Sequence, residues 1–394
     1  MKLNNKPVFL FFLLALGLGG CGTGGKKNTE ARTWTKPEVV EVIRKVNLRW
    51  QQQNPRPASA FWHPAAYHTG NMAAYEVTGD TTFLNYSEAW AEKNHWQGAT
   101  GTDKDMWRYD YGETPDHVLF GDWQICFQTY IDLYNIAPAD YKIARAREVM
   151  EYEMSTPHND YWWWADGLYM VMPVMTKLYH ATGNMLYLDK LYEYFTYSCG
   201  LMYDKDSALF FRDGKYVYPA HKTRNGKKDF WSRGNGWAFA ALARILKDLP
   251  DTDPRRGTYL SIYRQMAASL SRCQRSEGYW SRSLLDEPHA PGRETSGTAF
   301  FTYGYLWGIN NGLLDAETYL PVVRKAWTYL TTIALQPDGT IGYVQPIGER
   351  ADQHADVGAR TTADFGVGAF LLAAAEMAKY AQSVEDTVKG TGRE

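Results

Sequence analysis

Two aspartates among aromatic side chains are the residues of this sequence best suited to chemistry. Asp166 ends the run Trp162-Trp163-Trp164-Ala165-Asp166 and is followed by Gly167-Leu168-Tyr169-Met170. Indole faces are surfaces on which a sugar ring can stack. A carboxyl group held among them loses contact with water and is pushed towards its neutral, proton-donating form. The plainer alternative is that Asp166 only places charge at a helix N-terminus and that the tryptophans are core. Asp122, in Phe120-Gly121-Asp122-Trp123-Gln124, is the second carboxylate. Placed on adjacent helices, the two could face one another across a narrow cavity. One would then be forced neutral and the other left charged, which makes an acid and a stabilising anion from two identical groups. Taken alone, Asp122 also fits an ordinary N-cap.

A cation and another aromatic stand in Ser232-Arg233-Gly234-Asn235-Gly236-Trp237. Arginine can hold a carboxylate in a bidentate fork, and Trp237 would offer a second stacking platform, although Arg233 also fits a structural ion pair. Trp164, Tyr67 and a loop histidine, His221, complete the set expected to contact a sugar. No nucleophile motif, phosphate loop or zinc spacing is present, so neither a metal nor an organic cofactor is expected.

The elements that must hold these residues are helices. Apolar periodicity, prolines at starts and glycines at ends predict twelve, over 37–53, 64–77, 81–94, 122–134, 139–154, 166–181, 186–198, 235–249, 254–274, 296–310, 316–335 and 361–381. Tyr75-Glu76-Val77-Thr78-Gly79-Asp80 followed by Phe83-Leu84 recurs as Tyr179-His180-Ala181-Thr182-Gly183-Asn184 followed by Tyr187-Leu188. Looser copies give a spacing on the order of sixty residues, the mark of a repeated helical hairpin. Even-numbered helices are apolar all round, as in Gly366 to Ala375, and odd-numbered ones carry more charge, as in Arg145-Ala146-Arg147-Glu148. A helix apolar on every face is buried, and a one-faced helix lies outside. Six inner helices ringed by six outer ones make an all-α (α/α)6 toroid, with an open helical solenoid as the alternative.

With alternating helix directions, all inner N-termini share one face, and the connections entering that face are the long ones. Long loops on a rigid scaffold are where function collects, and six N-termini aimed at one cavity favour an anionic ligand. The longest insertion there is Gly200 to Trp231. Its stretch Leu209 to Tyr218 reads as a hairpin turning at Asp213-Gly214, and Arg224 to Lys228 reads as a basic, mobile segment. Together they are expected to form a lid or wall.

The chain has 394 residues, 45% hydrophobic and 22% charged, with a formal net charge of −2, 15 Trp and 28 Tyr. That is material for one large core, and nothing basic enough for nucleic acid appears. Lys2 and Lys6, an apolar run from Val8 to Leu18, then Gly19, Gly20 and Cys21 read as a signal segment over 1–20. The small residues before Cys21 resemble a bacterial lipoprotein signal, with Cys21 lipidated and a flexible tether over 21–35. The membrane would be met only through that lipid, on the cell envelope and facing the periplasm. A single catalytic domain is expected over 36–382 and a disordered tail over 383–394. Cys126, Cys199 and Cys273 are far apart and lie in apolar helical text, which fits buried thiols and no disulfide framework.

Trp-Ala-Asp-Gly-Leu-Tyr-Met at 164–170 and Phe-Trp-Ser-Arg-Gly-Asn-Gly-Trp at 230–237 resemble the unsaturated rhamnogalacturonyl hydrolases of glycoside hydrolase family 105, relatives of the unsaturated glucuronyl hydrolases. The likeness covers essentially the chain after the tether. It implies an (α/α)6 barrel and removal of a 4,5-unsaturated uronic acid from the non-reducing end of lyase-generated oligosaccharides. It places the catalytic acid on Asp166, the second carboxylate on Asp122, and substrate contacts on Arg233, Trp237 and His221. The mechanism implied is hydration: Asp166 protonates C4 of the vinyl ether, and water, deprotonated by the same carboxylate, adds at C5. The hemiketal then opens and expels the aglycone, with Asp122 stabilising the charge. One departure stands out, since Ser155-Thr156-Pro157-His158 occupies the region where well-known members carry a His-Lys pair. The same toroid also carries inverting glycosidases and polysaccharide lyases that act on saturated sugar, and a non-catalytic glycan-binding lipoprotein would keep the tryptophans without needing Asp166.

Overall fold

The computed structural model describes residues 34–391, and the expected signal segment, Cys21 and the tether up to residue 33 lie outside the described residues. Thirteen α-helices are present among the described residues: α1 (Lys36–Gln53), α2 (Trp62–Thr78), α3 (Thr81–Lys93), α4 (Gly121–Gln124), α5 (Cys126–Ile136), α6 (Tyr141–Ser155), α7 (Ala165–Thr182), α8 (Leu186–Met202), α9 (Ser232–Asp248), α10 (Arg256–Cys273), α11 (Thr295–Asn310), α12 (Ala316–Tyr329) and α13 (Asp364–Thr391). Only Ile125, itself in helical conformation, separates α4 from α5, so the two act as one inner helix. Two antiparallel pairs of two-residue strands, β1 (Tyr203–Asp204) with β2 (Leu209–Phe210) and β3 (Trp280–Ser281) with β4 (Arg293–Glu294), are all the sheet described.

Inner and outer helices separate as the periodicity predicts. On α1 the buried positions are Val39, Ile43, Val46 and Asn47, a single stripe at helical spacing. Burying each Val or Ile there is worth about 1.5–3 kcal/mol. On α11, by contrast, every residue from Thr295 to Gly308 is buried. The inner helices touch in the cyclic order α2, α5, α7, α9, α11, α13 and back to α2, so the ring is closed and the open solenoid is excluded. Closure depends on glycine at the seam. A Cβ on Gly70 of α2 would run into the backbone of Gly368 on α13, and one on Gly368 would run into the backbone of Ala66. The first helix, α1, packs outside the last inner helix, α13.

The repeated turn is the same device used twice. Thr78 and Thr182 each donate from Oγ1 to the carbonyl four residues back, at 2.7 Å in both cases. Gly79 and Gly183 follow in the left-handed region, with φ of 65° and 72°, where glycine stops a helix without strain. Asp80 and Asn184 then accept from the backbone N–H two residues on, at 3.1 and 3.0 Å, to start the next helix.

Three expectations change. Thr35 is no part of a tether: it caps α1 in a reciprocal capping box with Glu38, and Trp34 packs edge-on against Trp327. The tail expected to be disordered from 383 is helical as far as Thr391, because no glycine or proline interrupts it before Gly390 and Glu385 accepts from the Lys36 backbone N–H at 2.9 Å. The hairpin of the long insertion lies earlier than its Asp-Gly pair suggested. It turns between Asp204 and Leu209, whereas the Asp213 side chain accepts from Lys215 N at 2.7 Å and opens a short 3-10 turn, Gly214–Tyr216. Cys126 is buried, while Cys199 and Cys273 are only partly so; all three are free thiols.

Candidate active site

The inner helices bring their second residues to one end of the ring. Asp122 is second in α4, Asp166 second in α7 and Arg233 second in α9, while Trp62 opens α2. At that end lies a cavity of about 420 Å³ lined by Trp62, Tyr111, Asp122, Trp163, Trp164, Asp166, Arg212 and Glu349, among others. Its size suits one sugar unit and part of a second. Asp122 and Asp166, the two carboxylates singled out in the sequence, both line it.

Trp164 explains how two helix starts come so close. Its indole lies between them, and a Cβ on Gly121 or Gly167 would come within 3.1 or 3.2 Å of the ring. Each aspartate therefore has a glycine beside it that leaves room for the shared indole. Phe120 packs on Trp164 at 5.0 Å, and Trp163, half-buried, continues the aromatic wall at 4.7 Å.

Burial raises the proton affinity of both carboxyls, and their neighbours then divide them. Asp122 is pushed well above the ordinary carboxylate range by burial and by the charge of Asp166, with Arg212 opposing. Burial also raises Asp166, but Arg212 and Arg233 hold it back. Burial thus favours the protonated form of both carboxyls, most strongly at Asp122, while the two arginines favour the charged form of Asp166. Oδ2 of Asp166 is buried without a hydrogen bond, and Arg212 Nε stands 3.6 Å from it.

Four residues expected to contact substrate stand elsewhere. Arg233 is 1% exposed; its Nη1 donates to the Gln345 carbonyl at 2.6 Å and its Nη2 to the Pro346 carbonyl at 2.9 Å. Its guanidinium is sandwiched over Trp231 and Phe365, and burial lowers its pKa to about 10. Both terminal nitrogens are committed, so Arg233 does not present a fork to the cavity. Trp237 is fully buried against Phe300 and Tyr169 and is core, not a platform. Tyr67 is likewise buried, donating to Asn47 at 2.5 Å and accepting from Gln51 at 3.1 Å. His221 pairs with Asp229 at 2.9 Å, stands edge-on to Tyr216 and is not among the lining residues. Trp164 keeps its place in the wall, and His158, from the departing segment, is not among the lining residues.

The residues missed lie on two loops. Arg212 and Lys215 come from the long insertion, so the wall expected there is present. Its basic stretch is held down, however, with Asn225 donating to Asp286 at 3.0 Å and Lys227 pairing with the same carboxylate at 3.4 Å. A second wall, from Ile347 to Gln353, had no motif to announce it. Gln345 pins it from below, accepting from Trp231 Nε1 at 2.8 Å and donating to the Gln353 carbonyl at 2.8 Å. Glu349 reaches back to Tyr216 at 2.8 Å and Lys215 at 3.2 Å; burial works to raise it, but these partners and Arg212 hold it low. Arg212 carried one legible signal, an arginine next to Asp-Gly in the loop nearest Asp166.

Comparison with known proteins places this geometry. Residues 29–381 match the family described as Glycosyl Hydrolase Family 88. An unsaturated 3S-rhamnoglycuronyl hydrolase from Formosa agariphila is 32% identical, over 84% of this chain and 88% of its own. A solved structure of a glycosyl hydrolase family 88 protein from Bacteroides vulgatus is 57% identical with a TM-score of 0.86, over 88% of this chain and all of that one. Another, described as a polysaccharide lyase, is 62% identical with a TM-score of 0.87, over 88% of this chain and 98% of that one. The motif likeness pointed to family 105 and the related unsaturated glucuronyl hydrolases, and the description matched is that of family 88. The chain belongs to glycosyl hydrolase family 88 and is a glycosidase.

Proposed function

We propose that this glycosidase removes the terminal 4,5-unsaturated uronic acid from lyase-generated oligosaccharides by hydrating its C4=C5 bond. One observation carries the reading: Asp122 and Asp166 line one pocket with raised proton affinity, at the N-terminal ends of two inner helices. The name of the Formosa relative supports the substrate class. With substrate bound, Asp166 delivers a proton to C4 and positive charge develops at C5 and the ring oxygen. The same carboxylate then takes a proton from the water that adds at C5. Asp122 stabilises the charge, and the hemiketal opens to release the aglycone. Helix N-termini and an aromatic wall suit a single terminal uronate, hence action from the chain end.

The 62% identical structure described as a lyase favours a second reading, elimination on a saturated uronide. Elimination needs a base, commonly a phenol or imidazole. Tyr111, largely exposed, is the tyrosine among the lining residues; burial, Glu113 and Asp122 raise its pKa and Arg212 lowers it. A substrate screen separates the two readings by the sign of one signal. Hydration of unsaturated oligosaccharides removes the ultraviolet absorbance of the conjugated uronate, whereas elimination on saturated ones creates it. Loss of absorbance is the expected result; a gain on saturated substrate would overturn the hydrolase reading.

For the segment before the described residues the reading remains a lipid anchor on Cys21 and a catalytic domain on the cell envelope facing the periplasm. Lys2, Lys6, the apolar run and Gly19-Gly20-Cys21 support it. Metabolic labelling with a fatty-acid analogue, lost in Cys21→Ser, tests it.

A further inference from the structure

The cavity contains one guanidinium whose hydrogen bonding is unfinished. Arg212 Nη1 donates to Asp213 Oδ2 at 2.6 Å and stands 3.6 Å from Glu349 Oε2. Its Nε is buried without a hydrogen bond, and no hydrogen bond is seen for its Nη2. The committed nitrogen fixes the group, and the Nε–Nη2 edge, one of the two edges that can grip a carboxylate bidentately, is left over. That edge meets only Asp166, through an ion pair too long for a hydrogen bond. The guanidinium also lies 5.8 Å from the centre of the Trp163 ring, on the wall where a sugar would stack. Arg233, the arginine the motif suggested for this task, has both Nη atoms tied to backbone carbonyls.

We propose that Arg212 is the receptor for the substrate's carboxylate, and that its ion pair with Asp166 is exchanged for one with the bound uronate. This rests on the hydrolase reading above and adds to it a way in which bound substrate raises the proton affinity of Asp166. The groups facing Asp166 are Arg212, Arg233 and Asp213, and Asp122 shares its cavity. Glu294 faces Arg233, Glu349 and Lys215 face Arg212 and Asp213, and Glu113 and Tyr111 face Asp122. Once a uronate occupies Arg212, Asp166 loses its nearest cation and keeps its burial. The proton affinity of Asp166 then rises, the direction that the acid role needs.

Binding, measured without turnover, tests this. Calorimetry with D-glucuronate and D-galacturonate, each against its neutral amide, is run on the full chain and two variants. The wild type is expected to prefer the acid over the amide by about ten-fold or more, as a charge-assisted fork implies. Arg212→Gln should bind acid and amide alike. Asp166→Asn, which removes the internal competitor, should bind the acid several-fold tighter and the amide unchanged, a gain that a merely structural Arg212 cannot produce. No preference in the wild type, a preference kept in folded Arg212→Gln, or weaker acid binding in Asp166→Asn would each overturn the proposal. If Arg212→Gln fails to fold, the other two proteins decide it. Turnover by Asp166→Asn judges the hydrolase reading separately.

Discussion

Arg212 Nε and Asp166 Oδ2 face each other at 3.6 Å, both buried and neither hydrogen-bonded. A buried ion pair left open in this way is costly to a fold, because neither charge recovers its lost hydration. Its place is a wall of the cavity in which Asp122 and the tryptophans converge, so the cost falls where chemistry would use it.

Asp166→Asn should fold normally and lose turnover by at least the ~10²–10⁴-fold typical of general acid–base catalysis. Asparagine keeps the shape and offers no acidic proton; among the described residues the other carboxyl groups lining the cavity are Asp122 and Glu349, the latter held low by its partners. Steady-state rates on an unsaturated disaccharide, with circular dichroism as the folding control, decide it. Activity above about a tenth of wild type would remove Asp166 from the acid role.

Arg233→Ala should act on the loop at 345–353 more than on the sugar. It removes two charge-assisted hydrogen bonds to backbone carbonyls, worth roughly 1.5–3 kcal/mol each. Earlier melting and faster hydrogen exchange at 345–353 are the expected result. Normal melting with lost affinity for uronate would restore the fork that the motif first suggested.

Two tryptophans should separate by role. Trp237→Ala opens a cavity in the core and should cost about 3–5 kcal/mol of stability. Trp163→Ala, at the half-buried wall, should leave the melting temperature nearly unchanged and raise KM. Equal destabilisation by both would deny Trp163 its part in binding.

Glu153 gives a pH test away from the cavity. It is fully buried, and burial pushes its pKa up to about 8 despite the hydrogen bond from Gln124 at 2.8 Å. A folded pKa above the unfolded one means stability is full below about 4.5 and falls as pH rises towards 8, because the unfolded chain releases the proton first. The slope reaches up to about 1.4 kcal/mol per pH unit. Glu153→Gln should therefore gain stability over wild type between pH 5 and pH 8, by roughly that slope. Denaturant unfolding at several pH values measures it, and a constant difference would contradict it.

What could be read ahead of the structure was what is local. Thr78-Gly79-Asp80 and Thr182-Gly183-Asn184 carry their hydrogen bonds within a few residues, so the repeat, the hairpins and the helix starts at Asp122 and Asp166 followed from neighbours in sequence. Arg233 was legible as a residue at that face but not in its task. Its partners lie 112 and 113 positions away, in a loop without repeat or motif. The same holds for Glu349, whose place depends on Tyr216 across 133 positions. Trp237 and Tyr67 are buried, which the sequence did not show, because an aromatic near a helix start faces the core or the cavity according to its turn of helix, which the neighbouring helices set.

The most direct measurement is solvent deuterium in the released sugar. Run in D₂O on an unsaturated disaccharide and sampled early, the hydration mechanism predicts one carbon-bound deuterium at C4, delivered from Asp166, together with loss of the conjugated absorbance. A product that carries no deuterium at C4 would contradict hydration and leave cleavage at the anomeric carbon in its place.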